Sequence, residues 1–441
     1  MKAFEEFLGK FNADAKYIWF VLGVALVILL MVHVVDSSST VFSYAFALAP
    51  IWLPSITFMF FYNAWMEYVR KDFDWRQGRT TLEIKLPQEI LKSPEAMELV
   101  LSQMYQSAGA DNVFESYVDG KKPPMYGLEI VSRGGDVRFY INTPIKKYKN
   151  IIETQLYAQY PGIEVHQLDV DYTAEIPWDD EKYASYVFHA TLKKADALPI
   201  KTYIDYGLKD MPKEEEKIDP ITSVLETLGS AGPDERIWVQ ILIEANRELI
   251  FKDGHLSHQP DWKEDARKEI QKIIKNAAER VGVGKDDVGK NVNQFLTEVE
   301  RDTIKAIERS LGKPAFNTAI RVMYIAKKDK FVGERISALT TMWRVFDDSN
   351  RNGIGFKWGS TAEWPLFQDP TGAKSRMYRE AELDEYKRRT YSNRKSSDTP
   401  KVMTTEELAT IFHLPGKVAS TPTLGRIPSK RSEAPSNLPV G

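Results

Sequence analysis

The stretch YGLEIVSRGGDVRFYI, Tyr126–Ile141, decides how the rest of the chain is read. Two alternating runs rich in β-branched, aliphatic and aromatic residues flank Gly134-Gly135, and a glycine pair between such runs signals a β-hairpin. Upstream, TLEIKL places Leu82, Ile84 and Leu86 on one face of a strand. Ser93 and Pro94 then open a helix whose apolar stripe is Met97, Leu101, Met104 and Ala108, and Gly109 stops it. Downstream, Ile145, Tyr148, Ile152 and Leu156 mark a second helix ending at Pro161-Gly162, followed by the strand IEVHQL. The order β-α-β-β-α-β within residues 71–175 is the split βαβ, ferredoxin-like pattern.

The same order returns within 176–370. YASYVFHATL reads as a strand, Asp219-Pro220 starts a helix with Ile221, Val224, Leu225 and Leu228 inward, and Ile237, Val239, Ile241 and Ile243 alternate on the next strand. Two charged amphipathic helices at about 261–312 interrupt the expected hairpin before TAIRVMYIA, the helix ERISALTTMWRVF and a last strand at IGFKW. The expectation is a second ferredoxin-like unit with a helical insertion. With no residue-level repeat, the duplication is one of topology.

Composition narrows the functional classes. Of 441 residues, 43% are hydrophobic and 12% aromatic, enough to bury a core in two or three domains. The formal charge of -3 gives no general argument for a polyanion partner, so direct nucleic-acid binding is not expected. The absence of cysteine excludes disulfides, thiolate metal sites and cysteine nucleophiles.

Residues 1–70 read as a transmembrane hairpin. Tyr17–Val35 is free of Asp, Glu, Lys and Arg and would span about 28 Å as a helix, roughly a hydrocarbon core. A second uncharged run, Val41–Met66, contains Pro50 and Pro54, which a membrane helix tolerates, with Trp52 and Trp65 suited to the interfaces. His33 fits an interfacial position. Lysines and arginines flank the pair outside, and the connector between the runs has none, which by the positive-inside rule puts both termini and the body in the cytoplasm. The expected localisation is the bacterial cytoplasmic (inner) membrane, multi-pass, with the lipid bilayer as one partner.

Gly284, Gly289 and Lys290 in GVGKDDVGKN have P-loop spacing, but helical sequence precedes them, Asp286 and Asp287 would repel phosphate, and Asn291 stands where magnesium needs Ser or Thr. The stretch reads as a turn between the inserted helices. His255 and His258, with Asp253 and Asp261, form the nearest approach to a metal pair but read as polar surface. No cofactor, metal site or catalytic constellation is expected, and the chain is read as a non-enzyme.

Residues 371–441 change character. From Glu385 there are ten basic and five acidic residues. TTEELATIFHLPG is a short helix with a Thr404/Glu407 capping box, and a Pro/Ser-rich tail follows. The tail reads as a solvated linker, as a strap docking on a partner, or as a weakly basic contact for nucleic acid or anionic lipid. The candidate partner contacts are Phe412, His413, Leu414, Leu424 and Arg426.

LEIKLPQEILKSPEAMEL, ETQLYAQYPGIEV, DPITSVLETLGS, ERIWVQILIEA, TTEELATIFHLPG and TPTLGRIPSKRSEAPSNLP together resemble a little-characterised bacterial family of membrane-anchored proteins. That family is similar to the amino-terminal, non-motor region of type IV secretion and conjugation ATPases. The resemblance covers nearly all of the chain after about residue 45. It implies a scaffold subunit of a type IV secretion-like or DNA-translocation apparatus that docks a separate cytoplasmic P-loop ATPase and other subunits, itself a possible homo-oligomer. The alternative is the amino-terminal part of such an ATPase whose P-loop motor domain is encoded separately or missing from this sequence.

Overall fold

A computed structural model describes residues 38–427 apart from 88–91, 108, 146–147, 180, 210–218, 257–260, 282–295, 358–368, 370–371, 391–399 and 417–425. A long helix, α1 (Ser38–Gln77), leads into β1 (Arg79–Pro87). There follow α2 (Glu95–Met104), the short α3 (Val113–Tyr117), the hairpin β2 (Met125–Arg133) and β3 (Asp136–Pro144), α4 (Lys149–Gln159) and β4 (Glu164–Gln167). The chain continues through β5 (Tyr183–Leu192), α5 (Ile221–Gly229), β6 (Glu235–Ala245), the helices α6 (Trp262–Val281) and α7 (Glu298–Leu311), β7 (Ala315–Lys327), α8 (Glu334–Thr341) and β8 (Ile354–Lys357). It closes with α9 (Ala373–Arg388), β9 (Lys401–Thr404), α10 (Thr405–Ile411) and β10 (Arg426–Ile427).

The turn at Gly134 (φ 59°) and Gly135 (φ 92°) has positive φ at both central residues, the geometry that matches strand twist in a two-residue hairpin and that glycine adopts at no steric cost. The strands join in one ten-stranded sheet of order β10-β1-β3-β2-β6-β7-β5-β8, with β4 also on β1 and β9 also on β7. All pairings are antiparallel except that of β10 with β1.

This corrects the expected architecture. The sequence suggests two ferredoxin-like units behind a membrane hairpin, but β2 pairs with β6 along its whole length, from Met125↔Glu244 to Arg133↔Arg236, and merges the two halves into one sheet. The membrane reading is corrected too. Among the described residues no helix is long and apolar enough to cross a membrane. α1 carries Asn63 inside the uncharged run and Glu67 and Arg70 just beyond it, and its Met66 and Val69 are buried against the body. The multi-pass inner-membrane assignment is therefore withdrawn; Tyr17–Val35, with His33, lies outside the described residues.

Alternation along the strands builds two unequal layers. Leu82, Ile84, Leu128, Ile130, Phe139, Ile141, Val239 and Ile241 face the large core, which α2, α4, α5, α8 and α10 cover. The opposite face carries a smaller cluster, including Tyr140, Tyr172, Trp238, Met323 and Tyr386. The inserted helices α6 and α7 form a third cluster through Trp262, Ala266 and Ile307, and Arg280 on α6 bonds Glu300 on α7 at 2.7 Å.

Candidate docking groove

Polar residues cross the smaller face in register. Glu83 lies opposite Tyr140, Tyr140 opposite Glu129, Glu129 opposite Gln240, Gln240 opposite Arg321, and Arg321 opposite His189. Direct cross-strand partners share a face, so these residues form one row across six strands. Five of them, Glu83, Tyr140, Glu129, Gln240 and Arg321, are buried, and a buried charge is tolerated only when it is paired.

Helix α9 supplies the pairing. Its last turn lies over the row, and Arg321 Nη2 donates to the carbonyls of Glu385 and Thr390, both at 2.8 Å. A cation at that end satisfies orphan carbonyls and opposes the helix dipole. The chain then turns through Arg389, the described non-glycine residue with positive φ (53°). This conformation costs energy for an L-residue. It drops the guanidinium onto Glu129, with Nε to Oε1 at 3.0 Å and Nη2 to Oε2 at 3.2 Å, and onto Asp171 at 2.8 Å. Glu129 also accepts from Tyr172 Oη and Gln240 Nε2, each at 2.7 Å. Burial pushes the Asp171 carboxyl up, but Arg389 and the hydroxyls of Thr173 and Thr81 outweigh it and hold the group below the usual carboxylate range. Burial and the Glu129 charge push the Tyr172 and Tyr386 phenols well up, so both remain neutral donors.

From Asp171 the network runs outward. Thr81 Oγ1 donates to Asp171 at 2.6 Å, Asn142 Nδ2 donates to Thr81 at 2.8 Å, and Arg79 Nε donates to Asn142 at 2.7 Å. Arg79, Thr81, Asn142, Asp171 and Arg389 form the floor of a groove of about 1500 Å³. One wall is α1, held to the body by Tyr62 Oη to the Gly254 carbonyl at 2.8 Å, Trp65 Nε1 to the Tyr117 carbonyl at 2.6 Å, and Arg70 Nη2 to the Gly254 carbonyl at 3.2 Å. The opposite rim is α9, with Asp384 and Arg388 paired at 2.9 Å. Lys122 pairs with Asp74 at 2.8 Å, and Arg247 with Asp253 at 2.8 Å. The groove is thus lined by charges of both signs that already have partners, an arrangement suited to binding by exchange of ion pairs.

The residues singled out from sequence lie elsewhere. Phe412 is fully buried in the large core, edge-on to Phe139, and Leu414 is buried beside it. His413 is buried too, bonding Asp219 at 3.0 Å and the Ala409 carbonyl at 2.8 Å. All of α10 is buried, so these side chains anchor the tail within the protein itself. Arg426 sits in β10, where its backbone pairs with Leu86, and Leu424 lies outside the described residues. The glycine stretch Gly282–Asn291 and His258 lie outside them as well. His255 faces Arg70 at 3.3 Å, and burial together with that cation lowers its pKa to about 4. Among the described residues no group of three or more His, Asp or Glu could hold a metal ion.

Sequence reasoning missed the polar row and Arg389. Glu129 and Arg321 in mid-strand were a visible signal, but their alignment requires the pairing of β2 with β6 and of β6 with β7.

Fold and groove together define an α+β protein with a helix-walled cleft at one side of a single, almost wholly antiparallel sheet. The chain belongs to the family described as Domain of unknown function (DUF8128), whose model matches residues 100–426. No curated protein matches the chain.

Proposed function

We propose that this chain is a non-enzymatic scaffold subunit of a secretion-like or DNA-translocation apparatus, and that its groove docks a segment of a separate P-loop ATPase. The observation that carries the reading is the groove. At about 1500 Å³ it exceeds the roughly 300–1000 Å³ of small-molecule pockets, and its paired charges of both signs suit a polypeptide of mixed charge. The choice of an ATPase as partner rests on the resemblance to non-motor regions of secretion ATPases.

The test is native co-purification with mass spectrometry, comparing the wild-type chain with the swap Asp384→Arg/Arg388→Asp. The swap keeps the exposed pair but inverts the charge pattern of the rim. A P-loop ATPase recovered with the wild type and at least tenfold depleted with the swap supports the proposal. No ATPase with the wild type, or equal recovery with both, rejects it.

A further inference from the structure

We infer that the outer face of α1 is a homotypic interface, occupied by α1 of a second copy of this chain. Phe58, Phe61, Trp65, Tyr68 and Trp75 are 58%, 62%, 37%, 63% and 85% exposed. Their spacing of three, four, three and seven is that of the a and d positions of a heptad seam, with Asp72 at the remaining position. Contiguous exposed apolar surface of this kind marks an interaction site.

Trp65 stands at the edge of this face, where its Nε1 is bonded to the Tyr117 carbonyl of the body, and so fixes the stripe in place. Phe61 stacks on Trp65 at 6.1 Å, Trp65 lies 6.0 Å from Tyr68, and the neighbouring face of α1 is bolted to the body by Tyr62, Met66 and Arg70. A fixed aromatic surface loses little conformational entropy when it is covered.

A second copy fits on area and on charge. At roughly 200 Å² per aromatic side chain, the exposed fractions offer about 600 Å² per copy, close to the roughly 800 Å² per partner of a standard interface. The neighbouring Leu53 and Phe60 are also exposed and extend the patch. A two-fold interface must contain its own complement. The charge within the seam, Asp72, is already bound to Arg76 of the same helix at 2.9 Å, and Lys71 beside it is bound to Glu67 at 2.5 Å. Pairing two such helices therefore buries aromatic rings without leaving a charge of unmatched sign.

Trp75 also lines the groove, but Phe61 and Tyr68 do not, so variants confined to those two positions test the inference separately from the proposed ATPase docking. The full chain is examined by sedimentation velocity over a hundredfold concentration range, as wild type and as Phe61→Glu/Tyr68→Glu. A wild-type dimer whose dissociation constant rises at least tenfold in the variant, with an unchanged melting profile, is expected. Because the chain has no cysteine, Tyr68→Cys gives a single reporter. It should form a covalent dimer on oxidation, while Leu256→Cys, which is also exposed, should not. If the double variant fails to fold, the cross-link decides. A wild-type monomer at all concentrations, as it would be were the chain's own residues 17–35 or a foreign helix the occupant, overturns the inference. So does a dimer that survives the double variant, or equal cross-linking of both cysteine variants.

Discussion

Arg389→Met tests the account of the polar row most directly. The wild-type guanidinium makes two hydrogen bonds to Glu129, at 3.0 and 3.2 Å, and one to Asp171 at 2.8 Å. Methionine removes all three and leaves the Glu129 carboxylate, which has no solvent exposure, with only the neutral donors Tyr172 and Gln240. Breaking a buried pair by deleting one partner costs about 3–5 kcal/mol, because the surviving charge is desolvated without compensation. Glu129→Gln in the same background removes that stranded charge. The double variant is therefore expected to recover about 2 kcal/mol relative to the sum of the two single changes. The assay is urea unfolding followed by tryptophan fluorescence. Trp238 sits 5.5 Å from the Tyr172 ring and 5.2 Å from the Tyr386 ring, so it reports on this site. A single-variant cost below about 1 kcal/mol, or a cycle additive to within about 0.5 kcal/mol, would refute the claim that Arg389 and Glu129 act as a buried pair.

Glu407 gives a prediction in pH. Its side chain accepts from Ile200 N and from Thr404, but burial pushes its pKa from 4.5 up to about 7. The folded state keeps this proton while the unfolded state loses it near pH 4.5. The group's stabilising contribution is thus full below pH 4.5, falls by roughly 3 kcal/mol as pH rises to about 7, and is flat above. Glu407→Gln should move the urea midpoint increasingly in the variant's favour between pH 5 and 7.5; a constant offset would contradict this. Gly120 has φ 70°, and a β-carbon there would collide with the Val69 carbonyl of α1. Gly120→Ala should therefore loosen α1, seen as at least tenfold faster proteolysis between Phe58 and Gln77 than in the rest of the chain; uniform cleavage would argue against a docked α1. Phe412→Ala should cost about 3–5 kcal/mol in the same unfolding assay, as expected for a fully buried aromatic. A loss under 1 kcal/mol would place Phe412 outside the core.

Local elements were legible in the sequence because chain neighbours set them. Gly134-Gly135 between alternating runs specifies a tight turn wherever the hairpin packs, and Thr404 with Glu407 caps a helix whatever covers it. Tertiary structure decided what those elements became. The pairing of β2 with β6 joins residues more than a hundred positions apart and turns two expected units into one sheet. The same register aligns Glu129, Gln240 and Arg321, whose charges become a network only when strands distant in sequence lie side by side. Hydropathy alone read Val41–Met66 as a span. The contacts of Tyr62, Trp65 and Arg70 with the body are invisible in a hydropathy profile, and they make the later part of α1 a groove wall. Likewise, the composition of the tail suggested solvent or a foreign partner for Phe412, His413 and Leu414, yet Phe412 and Leu414 pack in the large core and His413 is buried against Asp219. A sequence states which residues can bury a face. Which face they meet depends on long-range register, and no local pattern encodes it.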